Sequence, residues 1–219
     1  MTKRTTFSVG IVVAVLLSVL APMGQGVRAA QPSFFNSTES MSTNLQPFTK
    51  WTGALQRYSK ESALARSGNC QSQELNVCHY NKLEQMVQAL KDKDEFTQLK
   101  VVNEQLNKAK YIPDQQNWGE KDYWETPAEF MSRFGDCEDY AIAKYITLRM
   151  MGWPDDKLRV VAVKDLNLKV GHAILVAFIG EKVFVLDNQI QQVLDATRIR
   201  HYLPVFSINQ NAWWRHAAG

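Results

Sequence analysis

The chain has 219 residues, 45% of them hydrophobic and 21% charged. That composition suits one globular domain and excludes low-complexity disorder and a polytopic membrane protein. Lys and Arg number 25 against 22 Asp and Glu, but Lys3, Arg4 and Arg28 all fall in the first 29 residues, which hold no acid. The remainder is balanced in charge, and without a basic cluster to neutralise phosphates it argues against nucleic acid as a partner.

Lys3 and Arg4 precede an uncharged apolar run, Phe7 to Leu20, and the small residues Gly24, Gly26, Ala29 and Ala30 follow. This is the order of a secretory signal. The run is short for a membrane span of ~20 residues. Removal of residues 1–29 is therefore expected over an uncleaved anchor, with the cut after Ala29 or slightly to either side. Export permits a disulfide. Cys70 and Cys78 lie close together in the polar stretch 69–80. A bridge there would contribute roughly 2–3 kcal/mol in the chain-entropy account and leave Cys137 as the odd thiol. A zinc site from Cys70, Cys78 and His79 competes with the bridge. It lacks the usual close cysteine pairs and a fourth ligand.

Residues 30–47 are polar, with Pro32 and Pro47, and read as a mobile N-terminal arm ahead of a single domain over 48–219. Trp51, Leu55 and Tyr58 then recur at helical spacing. So do Leu83, Met86, Val87 and Leu90, and next Phe96, Leu99, Val102 and Leu106. Pro113 and Gly119 break the pattern, and residues 111–130 read as a connecting stretch rich in aromatics and acids. Another helix is predicted from Cys137, with Ala141, Tyr145 and Leu148 buried and Gly152 and Pro154 ending it. After it the period changes. Leu158 to Val163, Ala173 to Ile179 and Val183 to Leu186 read as strands, the last two joined by a short hairpin at Gly180-Glu181-Lys182. A helical N-terminal half packed on a C-terminal antiparallel sheet is an α+β plan. There is no internal repeat.

Cys137 sits in Gly135-Asp136-Cys137-Glu138-Asp139 at the predicted helix start. The helix N-terminal field favours a thiolate there, and free N–H groups could bind an oxyanion. A lone cysteine is more often buried structure, but polar residues flank this one on both sides. His172 opens a strand, and Asp187 ends the neighbouring one. Pairing residues symmetrically about the hairpin turn sets His172 roughly opposite 188–190, so Asp187 can reach the imidazole and orient it. A helix-start Cys followed by strand His and strand Asp is the order of a papain-like or transglutaminase-like site.

Asp136, Glu138 and Asp139 crowd the thiol with negative charge. Each like charge at 4 Å costs about 1 kcal/mol in water and about 4 at an effective dielectric near 20, which raises a thiol pKa. These acids read either as helix capping or as a calcium site. No EF-hand spacing is present to decide.

Tyr123-Trp124-Glu125-Thr126-Pro127-Ala128-Glu129-Phe130 and Gly135-Asp136-Cys137-Glu138-Asp139-Tyr140-Ala141 closely resemble the bacterial transglutaminase-like cysteine proteinases. Val163 to Asn167, Gly171-His172-Ala173 and Leu186-Asp187-Asn188 match too, so the resemblance spans about 95 to 215. Within that family the chain is similar to periplasmic members that release large biofilm adhesins. The resemblance implies a papain-like, transglutaminase-like fold. It implies Cys137 as nucleophile, His172 as general base and then acid, Asp187 as orienter, and peptide hydrolysis through an acyl-enzyme. It also implies calcium as cofactor, with Asp136, Glu138 and Asp139 as ligands. Further ligands would come from Asp114 to Asp122, including Asn117, or from backbone carbonyls. The implied partners are a large adhesin as substrate and an inner-membrane receptor that senses cyclic di-GMP and sequesters the proteinase; the implied location is the periplasm. By similarity to transglutaminases, the indole of Trp118 or Trp124 is a candidate oxyanion donor. Two rival functions stay open: a transglutaminase joining glutamine to an amine with the same triad, and a binding module with a silent site.

Overall fold

The predicted periodicities become helices whose apolar faces meet one core. A computed structural model describes Met1, residues 31–61 and residues 77–219. Trp51 and Ala54 are buried on α1 (Thr49–Glu61), Leu83 and Val87 on α2 (Val77–Leu90), and Leu99, Val102 and Leu106 on α3 (Glu95–Leu106). Asp94 starts α3, its carboxylate accepting from the Thr97 N–H at 2.9 Å. The stretch read as a connection, 111–130, holds two helices, α4 (Asp114–Asn117) and α5 (Pro127–Arg133). Neither is long enough to show a helical period in sequence. Thr126 and Glu129 close a capping box at the start of α5. In α6 (Cys137–Met150) every residue from Asp139 to Leu148 is buried, as befits a helix enclosed on all sides.

The strands β1 (Ser37–Ser42), β2 (Leu158–Asp165), β3 (Val170–Ile179), β4 (Lys182–Leu186), β5 (Leu194–Asp195), β6 (Tyr202–Ile208) and β7 (Trp213–Ala218) form a sheet ordered β1-β7-β6-β2-β3-β4-β5. Each pairing is antiparallel. Alternation along β3 separates two apolar layers. Leu175 and Ala177 share the core of α6 with Ile142, Tyr145 and Ile146, while Ile174, Val176 and Phe178 meet Phe34, Ala196, Ile199 and Tyr202 on the opposite face. The result is the expected α+β arrangement of helices on an antiparallel sheet. Among the described residues no helix is long and apolar enough to cross a membrane.

The segment expected to be a mobile arm is corrected by this sheet. β1 pairs with β7 from Ser37↔Ala218 to Ser42↔Trp213, and Phe34 is buried against Phe178 and His216. The strand escaped a local reading because it is an edge strand, polar on its outer side, whose partner lies at the other end of the chain.

Lys144 is an unusual member of the core. It is fully buried on α6; among the described residues its Nζ has no hydrogen-bond partner, and the Tyr140 ring lies 5.7 Å away. Burial drives its pKa from the usual 10.5 down to about 7, against the opposing pull of the Asp187 charge. The unfolded chain thus holds this proton more tightly than the folded one. The lysine destabilises fully below about pH 7 and progressively less toward 10.5. Lys144→Met should therefore raise the urea midpoint at neutral pH, with the gain shrinking as the pH rises toward 10.5. A gain independent of pH in urea titrations would contradict the buried-charge account.

Candidate active site

Asp136 is the N-cap of α6 and Cys137 its first residue. The helix start is fastened by Asp139, three residues on and fully buried. Its Oδ2 accepts from the Asp136 N–H at 3.0 Å, and its Oδ1 accepts from the Glu125 N–H at 2.8 Å. Gly135 must be glycine, because a Cβ there would collide with the Asp139 carboxylate. Its carbonyl accepts from the Ile112 N–H at 2.9 Å. One buried carboxylate thus joins the segments before α5 and α6.

The thiol meets the sheet at β3. The backbone N–H of Ala173, the residue after His172, favours the charged form of the Cys137 thiol. The thiol's own proton points to Glu138 Oε2 at 3.1 Å. Burial first, and the Glu138 charge second, push the thiol far above its ordinary value. Among the described residues no hydrogen bond joins Sγ to the imidazole.

His172 and Asp187 lie together as the strand register requires, since Leu175↔Leu186 and Ile179↔Lys182 carry the pairing on to His172 opposite Gln189. His172 Nε2 is 2.9 Å from Asp187 Oδ1, with both side chains buried. Asp187 also accepts from the Gln189 N–H at 2.8 Å and the Tyr202 hydroxyl at 2.6 Å. Burial works to raise its pKa, but the bonds from His172, Tyr202 and Gln189 prevail and hold it below the usual carboxylate value. A carboxylate acceptor puts the ring proton on Nε2, which leaves the Nδ1 lone pair free to take a proton. The Gln189 amide lies 3.4 Å from that Nδ1.

The three acids singled out beside the thiol belong to a larger group. Ligand atoms of Asp114, Asp136 and Asp139 lie within 4.8 Å of one another, as do those of Asp114, Asp122 and Glu138, and those of Asp136, Cys137 and Glu138. Asp114 is buried, and its backbone N–H favours the charged form of Asp136. Burial, then hydrogen bonding and repulsion with Glu138, raise Asp136 to about 8; burial lifts Asp114 to about 6. Glu125, behind them, rises to about 8 for the same first reason. Buried Oδ1 atoms of Asp114 and Asp136 and Oε2 of Glu125 have no hydrogen-bond partner among the described residues. Unpartnered buried carboxylate oxygens at this density fit a hard dication. Asp139 is the exception within the group, since both its oxygens already serve backbone N–H groups.

Neither candidate tryptophan offers a free indole. Trp118 Nε1 donates to Glu125 Oε1 at 2.6 Å, and Trp124 Nε1 to Asp122 Oδ1 at 3.0 Å. Asn117 likewise donates its amide to Glu125 Oε1 and to the Phe134 carbonyl, each at 2.8 Å. Sequence reasoning missed Tyr202, Gln189 and Glu125 as parts of the site. Only Gln189 had a local signal, its place opposite His172 in the hairpin. Cys137 is a free thiol, while residues 62–76, Cys70 among them, and residues 2–30 of the expected signal segment lie outside the described residues.

A sequence model of the bacterial transglutaminase-like cysteine proteinases matches residues 62–218. Among solved structures, calcium-bound LapG of Legionella pneumophila is similar at 28% identity and TM-score 0.61, over 74% of this chain and 87% of that one. The EGTA-treated form of the same protein aligns with TM-score 0.59 at 28% identity, over 74% of this chain and 84% of that one. A comparison with curated proteins finds no match. A helix-start thiol and a strand histidine bonded to its carboxylate, on an α+β fold shared with LapG, therefore have a family: the chain belongs to the bacterial transglutaminase-like cysteine proteinases and is a cysteine peptidase.

Proposed function

We propose that the protein is a calcium-dependent endopeptidase of the periplasm that cleaves a large surface adhesin through Cys137, His172 and Asp187. The observation that carries this reading is the imidazole held by buried Asp187 at 2.9 Å, one residue before the backbone N–H that favours the Cys137 thiolate. Sγ gives its proton to Nδ1 of His172 as the sulfur attacks the scissile carbonyl. Asp187, bonded through Nε2–H, stabilises the resulting imidazolium, which then protonates the leaving amine. His172 next takes a proton from water, which cleaves the thioester. First-turn N–H groups of α6 have no intrahelical acceptor and are the donors at hand for the oxyanion. The Ala173 N–H opposes the acids by favouring thiolate. Gln189 must yield Nδ1 when the thiol proton arrives.

Asp114, Asp136 and Glu138, with Asp122 or Asp139, would hold the calcium ion; bound there, it supplies positive charge beside the thiol. Support comes from the partnerless oxygens of this cluster and from the calcium-bound state of the Legionella relative. The signal-like order from Lys3 to Ala30 supports export. Cys78 is disulfide-bonded while Cys137 is free, which supports the bridge to Cys70. Family resemblance supports an adhesin as substrate and sequestration by an inner-membrane receptor of cyclic di-GMP.

Incubation with adhesin fragments, followed by electrophoresis, tests the whole reading. Cys137→Ala should fold normally and lose at least about a thousandfold in kcat/KM, since little beyond binding survives loss of a triad nucleophile. Turnover equal to wild type would end the cysteine mechanism. EGTA should abolish cleavage, and Ca²⁺ should restore it better than Mg²⁺, which sheds water reluctantly and needs a tight octahedron. Asp136→Ala should lose calcium binding by calorimetry and cleavage in parallel. Full activity in excess chelator, with no calcium heat, would remove the metal from the mechanism and leave the triad.

A further inference from the structure

Asp187 and Gln189 both reach His172 from the irregular segment that follows β4. This segment is fastened to α3 as well as to the sheet. Asn107 Nδ2 donates to the Asp187 carbonyl at 2.7 Å. One turn earlier, Asn103 Nδ2 donates to the carbonyls of Gln191 at 3.0 Å and Ile190 at 3.3 Å. Positions 103 and 107 share a helix face, and Asn103 is fully buried, at 0% exposure.

Asparagine is a poor interior helix residue, because its amide competes for the backbone. Asn103 is such an interior residue of α3 and Asn107 is its C-cap; both gain meaning from the carbonyls they satisfy. A loop buried without such donors would carry unpaired backbone groups. The carbonyl that Asn107 holds belongs to the triad acid itself. Any shift of that carbonyl moves the carboxylate relative to Nε2 and carries the Gln189 N–H with it. We propose that Asn103 and Asn107 are positioning residues of the peptidase. They fix the 187–191 segment so that Asp187 meets Nε2 of His172 and Gln189 lies at Nδ1. The inference rests on the Cys137, His172 and Asp187 reading above, and neither asparagine touches substrate.

The test uses the full chain with Asn107→Leu, Asn103→Leu and their combinations with Asp187→Ala. Asn107→Leu should lower kcat about 10- to 100-fold, the usual result of a small misplacement in a triad, and leave KM within twofold. In the Asp187→Ala background the same change should cost less than twofold, because the group it positions is gone. A fall of equal size in both backgrounds would show a general structural effect and overturn the proposal. So would unchanged kcat in the folded single variants. Asn107 lies at the half-buried C-cap of α3; if Asn107→Leu does not fold, Asn107→Ala takes its place.

Proton NMR supplies a reading that needs no substrate. The imidazole N–H bonded to Asp187 should give a far-downfield line in the wild type that Asp187→Ala abolishes. Asn107→Leu or Asn107→Ala, still folded by circular dichroism, should weaken or shift that line. An unaltered line would overturn the proposal even if no adhesin is ever cut, whereas loss of the line with an inactive wild type would uphold the clamp and fail the peptidase reading.

Discussion

The carboxylate of Asp139 sets the location of the Cys137 thiol. It lies inside the protein with one oxygen on the Glu125 N–H and the other on the Asp136 N–H. Remove either bond and a buried backbone donor is left without an acceptor, at about 1–3 kcal/mol. The demand reaches further than these two groups. Residue 135 cannot bear a Cβ, and Phe134 just before it takes φ +64, a region few non-glycine residues occupy. The sharp entry into α6 therefore follows from one side chain, and Cys137 is the first residue past it.

That solution has an electrostatic consequence. The Cys137 thiol stands beside Glu138 and Asp136, in a place already short of water. Burial and these charges raise its pKa, and only a backbone N–H from Ala173 leans the other way. The acids repel one another as well, and Asp136 is lifted to about 8. A carboxylate pair can relieve this by sharing a proton or by sharing a cation. The partnerless oxygens of Asp114 and Asp136 favour the cation, because a shared proton satisfies only one pair while a dication accepts several oxygens at once.

How much of this was legible in sequence depends on the range of each interaction. The His172–Asp187 contact could be read because a hairpin fixes its own register; the turn near 180 dictates what faces what, residue by residue. Cys137 could be read because a helix start is a local event with local signals. β1 could not, since its pairing with β7 joins residues 37 and 218. Asp114 and Glu125 reach the site only after α4 and the turn into α5 fold back on α6. The tryptophans mislead for a related reason. An indole N–H beside an acid cluster is taken by a carboxylate, as Glu125 takes Trp118 and Asp122 takes Trp124, and sequence does not say which acid will be near.

The site straddles the boundary between two layers, with sulfur on a helix and imidazole and carboxylate on a sheet. The relative placement of these three groups is only as precise as the packing between the layers. Here that packing is made by Ile142, Tyr145 and Ile146 of α6 against Leu175, Ala177 and Leu186, and cores of this density do not slide continuously. Leu175 lies three residues from His172, and Leu186 is the residue before Asp187. The side chains that seal α6 to the sheet are thus neighbours in sequence of the imidazole and the carboxylate. A void opened at Leu186 would loosen the carboxylate through its own backbone. Core packing and active-site geometry are for that reason one property of this fold.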